Sequence, residues 1–405
     1  MKIGLDAIAF HTTRYYVDLV DLANARGVSE NKFLKGLGQR KMAIATPPED
    51  TVHLAINAGL KALTRFGISA QDIGTLVVGT ETGVDHSKPV AVYVHQALGL
   101  SSDCITYETK HACFGATAAI SSAGDWLASG RGRGKKALVI AADIASYGIN
   151  TVGEPTQGAG AVAMVVSDQP RLMEYLPGIN YTFTKNVMDF WRPLYSKEAI
   201  TAGHYSIQCY LDALVACLDG AALKLPDTGD LAACLYHVPF TKMAAKAHLR
   251  YYEWCHDTKI ENETYAYRQF LIDYETRTKP WLTLNEEVGN IYTGSLFLSL
   301  IDLLRQNQLS PGKLISLFSY GSGCAASITC GKLAENYGSW QSSLNPIDDL
   351  GNRKRLSVDE YEKIKSETSK QLSSDFILNP SDWGVKGHYL YLGNKQHVRQ
   401  YSDLT

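Results

Sequence analysis

Three residues with complementary chemistry stand where apolar runs end. Glu81, Cys113 and His237 lie at the ends of, or in the turns after, stretches with the composition of buried strands. A carboxylate, a thiol and an imidazole together supply a base, a nucleophile and a second acid or base. The spacing alone is not specific, because a solvated loop carboxylate, a small core cysteine and a hydrogen-bonded strand-end histidine give the same pattern. The three residues are therefore a candidate active site that needs independent support.

Cys113 precedes a run of small and apolar residues, 116–127, with the spacing of a buried helix. This spacing places the thiol near the first helical turn, where free backbone N–H groups and a partial positive charge favour a thiolate. We therefore expect a lowered thiol pKa at Cys113. The alternative is that Cys113 is an inert core residue, as cysteines in apolar helices usually are.

Two lysines mark the start of another predicted helix. If this helix begins near Pro239, Lys242 and Lys246 lie one turn apart on one face, within the first two turns, where free N–H groups also point. Such a pair can hold phosphate groups. The alternative is an ordinary solvated lysine face.

Two glycine-rich turns separate apolar runs. The segment 153–160 is followed by no Gly-Lys-Ser/Thr, and the sequence has no GxGxxG after a strand, so the familiar nucleotide-binding motifs are absent. The turn Gly321-Ser322-Gly323 either places a backbone N–H opposite Cys113 to stabilise an oxyanion or is a plain turn.

Strand and helix patterns alternate through the first half, which predicts a layered α/β sheet covered on both faces. A second half begins near Arg171, and each half ends with a strand, a glycine-rich turn and another apolar segment. The polar, aromatic segment 255–280 receives no assignment. The predicted strands are 3–9, 73–78, 104–109, 136–142, 161–166, 231–237 and 314–320, and the predicted helices are 16–22, 29–37, 51–66, 90–98, 116–127, 207–223, 241–254, 290–304 and 358–366.

The composition is that of a large globular chain without an electrostatic binding surface. A length of 405 residues favours two domains or fused halves. A net charge of -2 argues against nucleic-acid or anionic-membrane partners. The apolar start of the chain is too short for a signal peptide, and no run approaches the ~20 apolar residues of a membrane span. The 8 cysteines include no CxxC, which predicts reduced thiols in a cytoplasm and no metal site.

Eight ordered blocks of sequence carry a specific resemblance. Together they resemble the hydroxymethylglutaryl-CoA synthase family, including its relatives that install β-branches on polyketides. The resemblance runs from about residue 3 to 330 and continues weakly beyond. The blocks are GTETGVDHSKPVA, ETKHACFGATAA, GEPTQGAGAVA, DFWRP, GHYSIQCYLDAL, YHVPFTKMAAKAH, VGNIYTGSLFLSL and FSYGSG.

This resemblance implies a thiolase-like fold, with two similar α/β halves in a five-layered αβαβα arrangement. We expect the halves to be 1–168, with the nucleophile, and 169–405, with the histidine and the lysines. The resemblance also implies a cytoplasmic homodimer of the mevalonate pathway. Its substrates would be acetyl-CoA and acetoacetyl-CoA, with no cofactor, no nucleic acid and no membrane involved.

Residue roles follow from the matching blocks. By resemblance, Cys113 is the acylated nucleophile, Glu81 the base, and His237 the acid or base that handles the ketone oxygen. Other positions match lysines that contact coenzyme A (Lys242, Lys246), residues that contact substrate (Thr156, Ser206, Asn290, Ser322) and supporting acids (Asp143, Asp189).

Two positions depart from the family pattern. Val152 stands where some members have an asparagine before the matched threonine, so no contact is assigned there. Phe114 replaces the tyrosine common after the cysteine, which removes a hydroxyl and keeps the ring.

Three other functions remain open from the sequence. In the polyketide branch an acyl carrier protein delivers the acyl groups; known members have Tyr-Ser after the cysteine, whereas this chain has Cys113-Phe-Gly, which favours coenzyme A. A non-catalytic binding protein would be expected to have lost one of the three reactive residues. An ordinary thiolase uses a second cysteine in a glycine-rich segment; Cys324 follows Gly323, but we expect it to be a buried small residue.

Overall fold

Strands and helices alternate in both halves of the chain. The structure, a computed structural model, describes residues 2–196, 198–222, 229–345, 350–370 and 374–404. The first half contains Gly4–Thr12 (β1), Tyr15–Asp18 (β2), Leu19–Ala25 (α1), Asn31–Leu34 (α2), Lys41–Ile44 (β3), Thr51–Arg65 (α3), Ile73–Gly79 (β4), Val90–Ala97 (α4), Ile105–Thr109 (β5), Gly115–Ala128 (α5), Lys136–Ala145 (β6) and Gly158–Ser167 (β7). Later elements are Met173–Thr184 (β8), Phe190–Trp191 (β9), Ile200–Thr201 (β10), Gly203–Ala221 (α6), Leu231–Tyr236 (β11), Thr241–His256 (α7), Tyr265–Arg277 (α8), Thr283–Val288 (α9), Gly294–Gln306 (α10), Leu314–Gly321 (β12), Ala325–Leu333 (β13), Lys354–Leu356 (β14), Val358–Lys370 (α11), Phe376–Ile377 (β15), Tyr391–Lys395 (β16) and Val398–Tyr401 (β17).

The main strands form one mixed sheet in the order β11-β12-β13-β8-β1-β7-β6-β4-β5. Within the described part of this sheet, strands of the first half and of the second half meet only between β1 and β8, where Gly4 pairs with Glu174 and Leu5 with Met173. Within the first half β4 is parallel to β5 and β6, and within the second half β11 is parallel to β12. The sheet is therefore two smaller sheets joined by a short antiparallel contact.

Alternating residues of β6 show that helices cover both faces of the first sheet. A Cβ added at Gly59 of α3 would lie 3.2 Å from Ile140, whereas one added at Gly294 of α10 would lie 3.7 Å from the adjacent Ala141. Successive strand residues point to opposite faces, so α3 and α10 lie on opposite sides of β6.

The second sheet is covered in the same way. Along β11, Ala233 and Leu235 belong to the large core that includes α10, whereas Cys234 and Tyr236 belong to a separate core with α6 and α7. Helix α10 also packs on β7 of the first half and on β12 of the second. It is therefore a central layer between two sheets, with α3 outside one and α6 and α7 outside the other, which gives the five predicted layers.

The C-terminal segment returns to the N-terminal half. Strand β14 pairs in parallel with β2, and the amide of Tyr391 donates to the carbonyl of Pro48. Arg399 of β17 forms an ion pair with Asp50 at 2.6 Å. The division at residue 168 stays a prediction.

Most predicted elements are confirmed, with shifts at their ends. Residues 16–18, the start of the helix predicted over 16–22, belong instead to β2, and α1 begins only after Asp18, whose carboxylate accepts from the Val20 amide at 2.9 Å. The helix predicted over 290–304 begins at Gly294, so Asn290 lies in the preceding turn. Strand β8, the short strands of the C-terminal segment and helix α8 were not predicted. No helix in the described ranges is long and apolar enough to cross a membrane.

Candidate active site

The predicted nucleophile and base lie against each other at the carboxyl ends of parallel strands. Glu81 follows β4, and Cys113 lies in the loop 110–114 after β5, here called the cysteine loop. The Cys113 Sγ is 3.9 Å from Glu81 Oε1, a distance at which the thiol donates a weak hydrogen bond. The neighbouring strands therefore bring together two residues that lie 32 positions apart in the sequence.

Glycines on both halves allow the cysteine loop and the start of α5 to approach the sheet. A Cβ at Gly79 would be 2.3 Å from the amide nitrogen of Ala116, and one at Gly321 would be 2.7 Å from that of Phe114. Neither position has room for a side chain. The turn that contains Ser322 therefore lies directly beside the cysteine loop, as an oxyanion site shared between the halves requires.

The prediction of a lowered thiol pKa at Cys113 is wrong for the free protein. The side chain is only 8% exposed and packs with Ala145, Tyr147 and Tyr292. Burial raises the pKa of the Cys113 thiol well above its ordinary value, and neighbouring carboxylates, Glu81 first, raise it further. The partial positive charge at the N-terminus of α5 would lower the thiol pKa. Burial and the carboxylates outweigh it, and α5 begins two residues after Cys113, at Gly115. The Cys113 side chain is therefore a thiol in the free protein.

Asp143 of β6 organises the turn that carries Glu81. Its Oδ1 accepts from the hydroxyls of Thr80 and Thr82, both at 2.8 Å, and from the amides of Glu81 at 2.9 Å and Thr82 at 3.2 Å. Burial and then the charge of Asp143 raise the pKa of Glu81. Asp143 thus fixes the position of the predicted base and makes its carboxylate harder to form.

Arg192, which was not predicted as a site residue, also contacts Glu81. Its Nη1 donates to the Glu81 carbonyl at 3.2 Å, and its Nη2 lies 3.6 Å from Glu81 Oε2. The Nη2 also donates to the Tyr292 hydroxyl at 3.2 Å. The signal available in the sequence was the DFWRP block, which placed an arginine among the matched segments.

His237 is buried at the end of β11. Its amide donates to the carbonyl of Phe318 on β12 at 2.8 Å, and its own carbonyl accepts from the Tyr210 hydroxyl at 2.9 Å. Burial lowers the pKa of His237 to about 3, so the imidazole is neutral at ordinary pH. Within the described chain Nδ1 has no hydrogen-bond partner. The position is the second-half counterpart of Glu81, because both residues follow the carboxyl end of a parallel strand.

Asp189 holds the glycine turn after β12. It accepts from the Tyr320 hydroxyl at 2.7 Å, the Gly323 amide at 3.0 Å and the Ser206 hydroxyl at 3.3 Å. Two predicted positions, Ser206 and Asp189, are therefore in contact. Cys324 is 2% exposed, which confirms the prediction of a buried small residue, and burial raises its pKa.

Thr156 and Asn290 also meet. The Asn290 amide donates to the Thr156 carbonyl at 3.2 Å, and a Cβ at Gly158 would lie 2.5 Å from the Asn290 carbonyl oxygen. The Asn290 side chain accepts from the Tyr292 amide at 2.9 Å. These contacts therefore join the glycine-rich segment 153–160 to the turn before α10, which carries Tyr292 to the wall around the cysteine.

The two lysines are exposed on α7, but the helix start does not offer the predicted free N–H groups. The Thr241 amide donates to the Gln39 side chain at 3.2 Å, and the Lys242 amide to the Leu37 carbonyl at 2.9 Å. Any phosphate contact here therefore depends on the ammonium groups of Lys242 and Lys246 rather than on the helix terminus.

A C-terminal network reaches the active-site wall and was not foreseen. The Lys365 ammonium of α11 donates to the Ser146 hydroxyl at 3.1 Å, to Gln157 Oε1 at 2.7 Å and to the Tyr147 carbonyl. The Gln157 amide donates in turn to the Tyr361 hydroxyl at 2.8 Å. Beside this network lies a cavity of about 930 Å³.

A five-layered α/β fold with a buried cysteine and carboxylate at its strand ends defines a thiolase-like, acyl-transferring enzyme. Comparison with known families is specific. Residues 1–170 match the hydroxymethylglutaryl-coenzyme A synthase N-terminal family, and residues 175–271 and 271–403 match the corresponding C-terminal family. The chain belongs to the hydroxymethylglutaryl-CoA synthase family.

Relatives from both branches of the family are similar to the chain. A hydroxymethylglutaryl-CoA synthase of Enterococcus faecalis is 39% identical over 91% of this chain and 92% of its own length. The polyketide biosynthesis 3-hydroxy-3-methylglutaryl-ACP synthase PksG of Bacillus subtilis (strain 168) is 32% identical over 90% of this chain and 88% of its own. The family resemblance seen in the sequence is thereby confirmed.

Solved structures confirm the thiolase-like fold. MvaS in complex with 3-hydroxy-3-methylglutaryl coenzyme A is 40% identical, with a TM-score of 0.89 over 99% of both chains. The HMG synthase of the curacin biosynthetic pathway, in complex with its acetyl donor-ACP, is 28% identical, with a TM-score of 0.91 over 99% of this chain and 100% of its own.

Proposed function

We propose that the enzyme condenses acetyl-CoA with acetoacetyl-CoA and water to give 3-hydroxy-3-methylglutaryl-CoA and free coenzyme A. The observation that carries the proposal is the contact between the buried Cys113 thiol and the Glu81 carboxyl group, within a chain of this family. The higher identity to the coenzyme A enzyme, 39% against 32% for the ACP enzyme, supports coenzyme A as the acyl carrier.

The first step is thioester exchange. The Cys113 sulfur attacks the acetyl carbonyl, the bond to the coenzyme A sulfur breaks, and the proton lost from Cys113 ends on the coenzyme A thiol. The reaction costs little because one thioester replaces another. Since the resting thiol has a raised pKa, the attack must be coupled to removal of its proton.

The second step forms the carbon–carbon bond. Glu81 removes a proton from the acetyl methyl group, and backbone N–H groups of Cys113 and Ser322 stabilise the enolate oxygen. The enolate carbon attacks the β-ketone of acetoacetyl-CoA, and the new alkoxide gains a proton through His237. One proton leaves the methyl group and one arrives at the hydroxyl, so the step is balanced.

The third step is hydrolysis. Water adds to the thioester on Cys113, the C–S bond breaks, the sulfur regains a proton, and a carboxylate and one further proton are released. Conversion of a thioester into a carboxylate makes the overall reaction irreversible.

Two variants separate these steps. Cys113→Ser should take up no radiolabelled acetyl group from acetyl-CoA, whereas Glu81→Ala should be acetylated but form no product. Condensation at the normal rate by Glu81→Ala would show that Glu81 is not the base. A wild-type protein that takes up no acetyl group would refute the proposed function and revive a non-catalytic role.

The carrier-protein reaction is the second candidate, because PksG and the curacin synthase match most of this chain. The chemistry is the same and only the acyl carrier differs. Rates with acetoacetyl-CoA and with acetoacetyl-carrier protein decide between them, and a strong preference for the carrier would overturn the first proposal.

We further propose a cytoplasmic homodimer that needs no cofactor and serves the mevalonate pathway. In the described chain β5 pairs only with β4, and Ile105 and Tyr107 on this edge strand are 52% and 37% exposed. An unpaired edge with apolar side chains is suited to pairing with a second copy. Sedimentation of the wild type and of Ile105→Lys tests this contact; identical monomeric behaviour of both would contradict it.

A further inference from the structure

Arg192 has more hydrogen-bonding capacity than its neighbours use. A guanidinium carries five N–H donors. One Nη1 donor goes to the Glu81 carbonyl and one Nη2 donor to the Tyr292 hydroxyl. The buried Nε has no hydrogen-bond partner within the described residues. Arg192 is thus a partly buried cation beside Tyr292 of the active-site wall, and its Nε–H donor has no acceptor within the described residues.

The charge of Arg192 is also incompletely neutralised. Its Nη2 is 3.6 Å from Glu81 Oε2, beyond ordinary hydrogen-bond length. Burial and Asp143 together raise the pKa of Glu81 and so favour its neutral form. A guanidinium stays protonated under these conditions. The positive charge of Arg192 is therefore available to attract another anionic oxygen.

The proposed reaction creates such an anion at this place. Hydrolysis replaces the neutral thioester on Cys113 by a carboxylate, and the Cys113 sulfur is 3.9 Å from Glu81 Oε1. The positive charge of Arg192 acts on the Cys113 sulfur, whose pKa it lowers against the opposing effect of burial. The new carboxylate therefore forms beside Glu81, whose neutral form does not repel it, and under the attraction of the Arg192 charge.

We propose that Arg192 binds the carboxylate released by hydrolysis at Cys113 and so determines how tightly the enzyme holds its product. The proposal rests on the proposed function. The planar fork of a guanidinium accepts a carboxylate with two parallel N–H···O bonds, one of which Nε can supply. Acetyl transfer produces no carboxylate, so it does not need this contact.

Two coenzyme A thioesters test the proposal because they differ only at this group. 3-Hydroxy-3-methylglutaryl-CoA carries the carboxylate, whereas 3-hydroxy-3-methylbutyryl-CoA has a hydrogen in its place. Calorimetric titration should show that Arg192→Met weakens binding of the first by about 10- to 100-fold and of the second by less than about 2-fold. Arg192→Lys, which keeps the charge without the fork, should give an intermediate loss.

Controls separate this inference from misfolding and from the proposed function. Arg131→Met, at an exposed arginine after α5, should change neither affinity. Equal weakening of both thioesters by Arg192→Met and by Arg192→Lys, or no weakening of either, would overturn the role of Arg192. Failure of the wild type to condense acetyl-CoA with acetoacetyl-CoA would instead overturn the proposed function, whatever the variants bind.

Discussion

The amide of Tyr147 and the ammonium of Lys365 donate to the same oxygen, Gln157 Oε1, at 2.9 and 2.7 Å. Tyr147 packs beside Cys113, whereas Lys365 belongs to α11, far along the chain. The shared acceptor therefore ties the C-terminal segment to the wall of the active site. Helix α11, which lies outside the main sheet, is therefore linked through a single side chain to a residue that packs against Cys113.

Lys365→Met should destabilise the protein and slow condensation. It removes donors from three acceptors, the Ser146 hydroxyl, the Tyr147 carbonyl and Gln157 Oε1. Leaving partly buried acceptors unsatisfied costs about 1–3 kcal/mol. Denaturant unfolding measures the loss of stability, and kcat for condensation should fall with it. Lys363→Met, at an exposed lysine of the same helix, is the matched control and should behave like the wild type.

Asp143→Asn should shift the acid limb of the condensation pH profile to lower pH. Burial and the negative charge of Asp143 raise the pKa of Glu81, so removing that charge lets the catalytic carboxylate form at lower pH. The asparagine oxygen keeps its acceptor role toward Thr80 and Thr82. Arg192→Met removes a charge that lowers the same pKa and should shift the limb the opposite way. Shifts of both variants in one direction would contradict this account.

The stability of Glu81→Gln relative to the wild type should increase as the pH rises. The folded pKa of Glu81 lies above its unfolded value, so the folded state binds more protons, and the wild type loses stability as the pH rises through the folded pKa. Glutamine has no such loss. Denaturant unfolding at pH 5 and pH 9 should therefore show a larger advantage of Glu81→Gln at pH 9. An advantage that shrinks with pH would show that the Glu81 pKa is not raised.

Positions that follow from local sequence were predictable. Strand ends located Glu81, Cys113 and His237, because parallel strands bring their carboxyl ends to one edge of a sheet and apolar runs mark where they end. The long strand β8 was missed because Pro177-Gly178 interrupts its apolar pattern. The pairing of β8 with β13 also shifts register at this point, between Thr329 and Gly331, and resumes at Tyr175, so the strand continues on both sides of the interruption.

Properties that depend on distant residues were not predictable. The helix start suggested a thiolate at Cys113, but burial, which depends on packing across the fold, raises the thiol pKa. The N–H groups at the start of α7 are used by a segment 202 residues away, through Gln39. The contact between Arg192 and Glu81 spans 111 residues. One sequence does not reveal such pairings.

Lys242→Ala and Lys246→Ala should each raise KM for acetyl-CoA and leave kcat unchanged. The lysine side chains are exposed, whereas Cys113 and His237 are buried, so a contact with coenzyme A phosphates would stabilise bound substrate and transition state alike. An exposed charge contact of this kind is worth about 1 kcal/mol, which corresponds to roughly a 5-fold change in KM. Because the helix N–H groups are occupied, the double variant should lose nearly all phosphate recognition.

Acetylpantetheine, which lacks the nucleotide and its phosphates, separates recognition from catalysis. Neither lysine variant should change kcat/KM for acetylation by this substrate, whereas both should lower kcat/KM for acetyl-CoA. Lys363→Ala provides an exposed-lysine control on α11 and should leave both substrates unaffected. An equal loss with acetylpantetheine and acetyl-CoA would show that the lysines act on the fold rather than on the phosphates, because a phosphate contact cannot affect a substrate without phosphate.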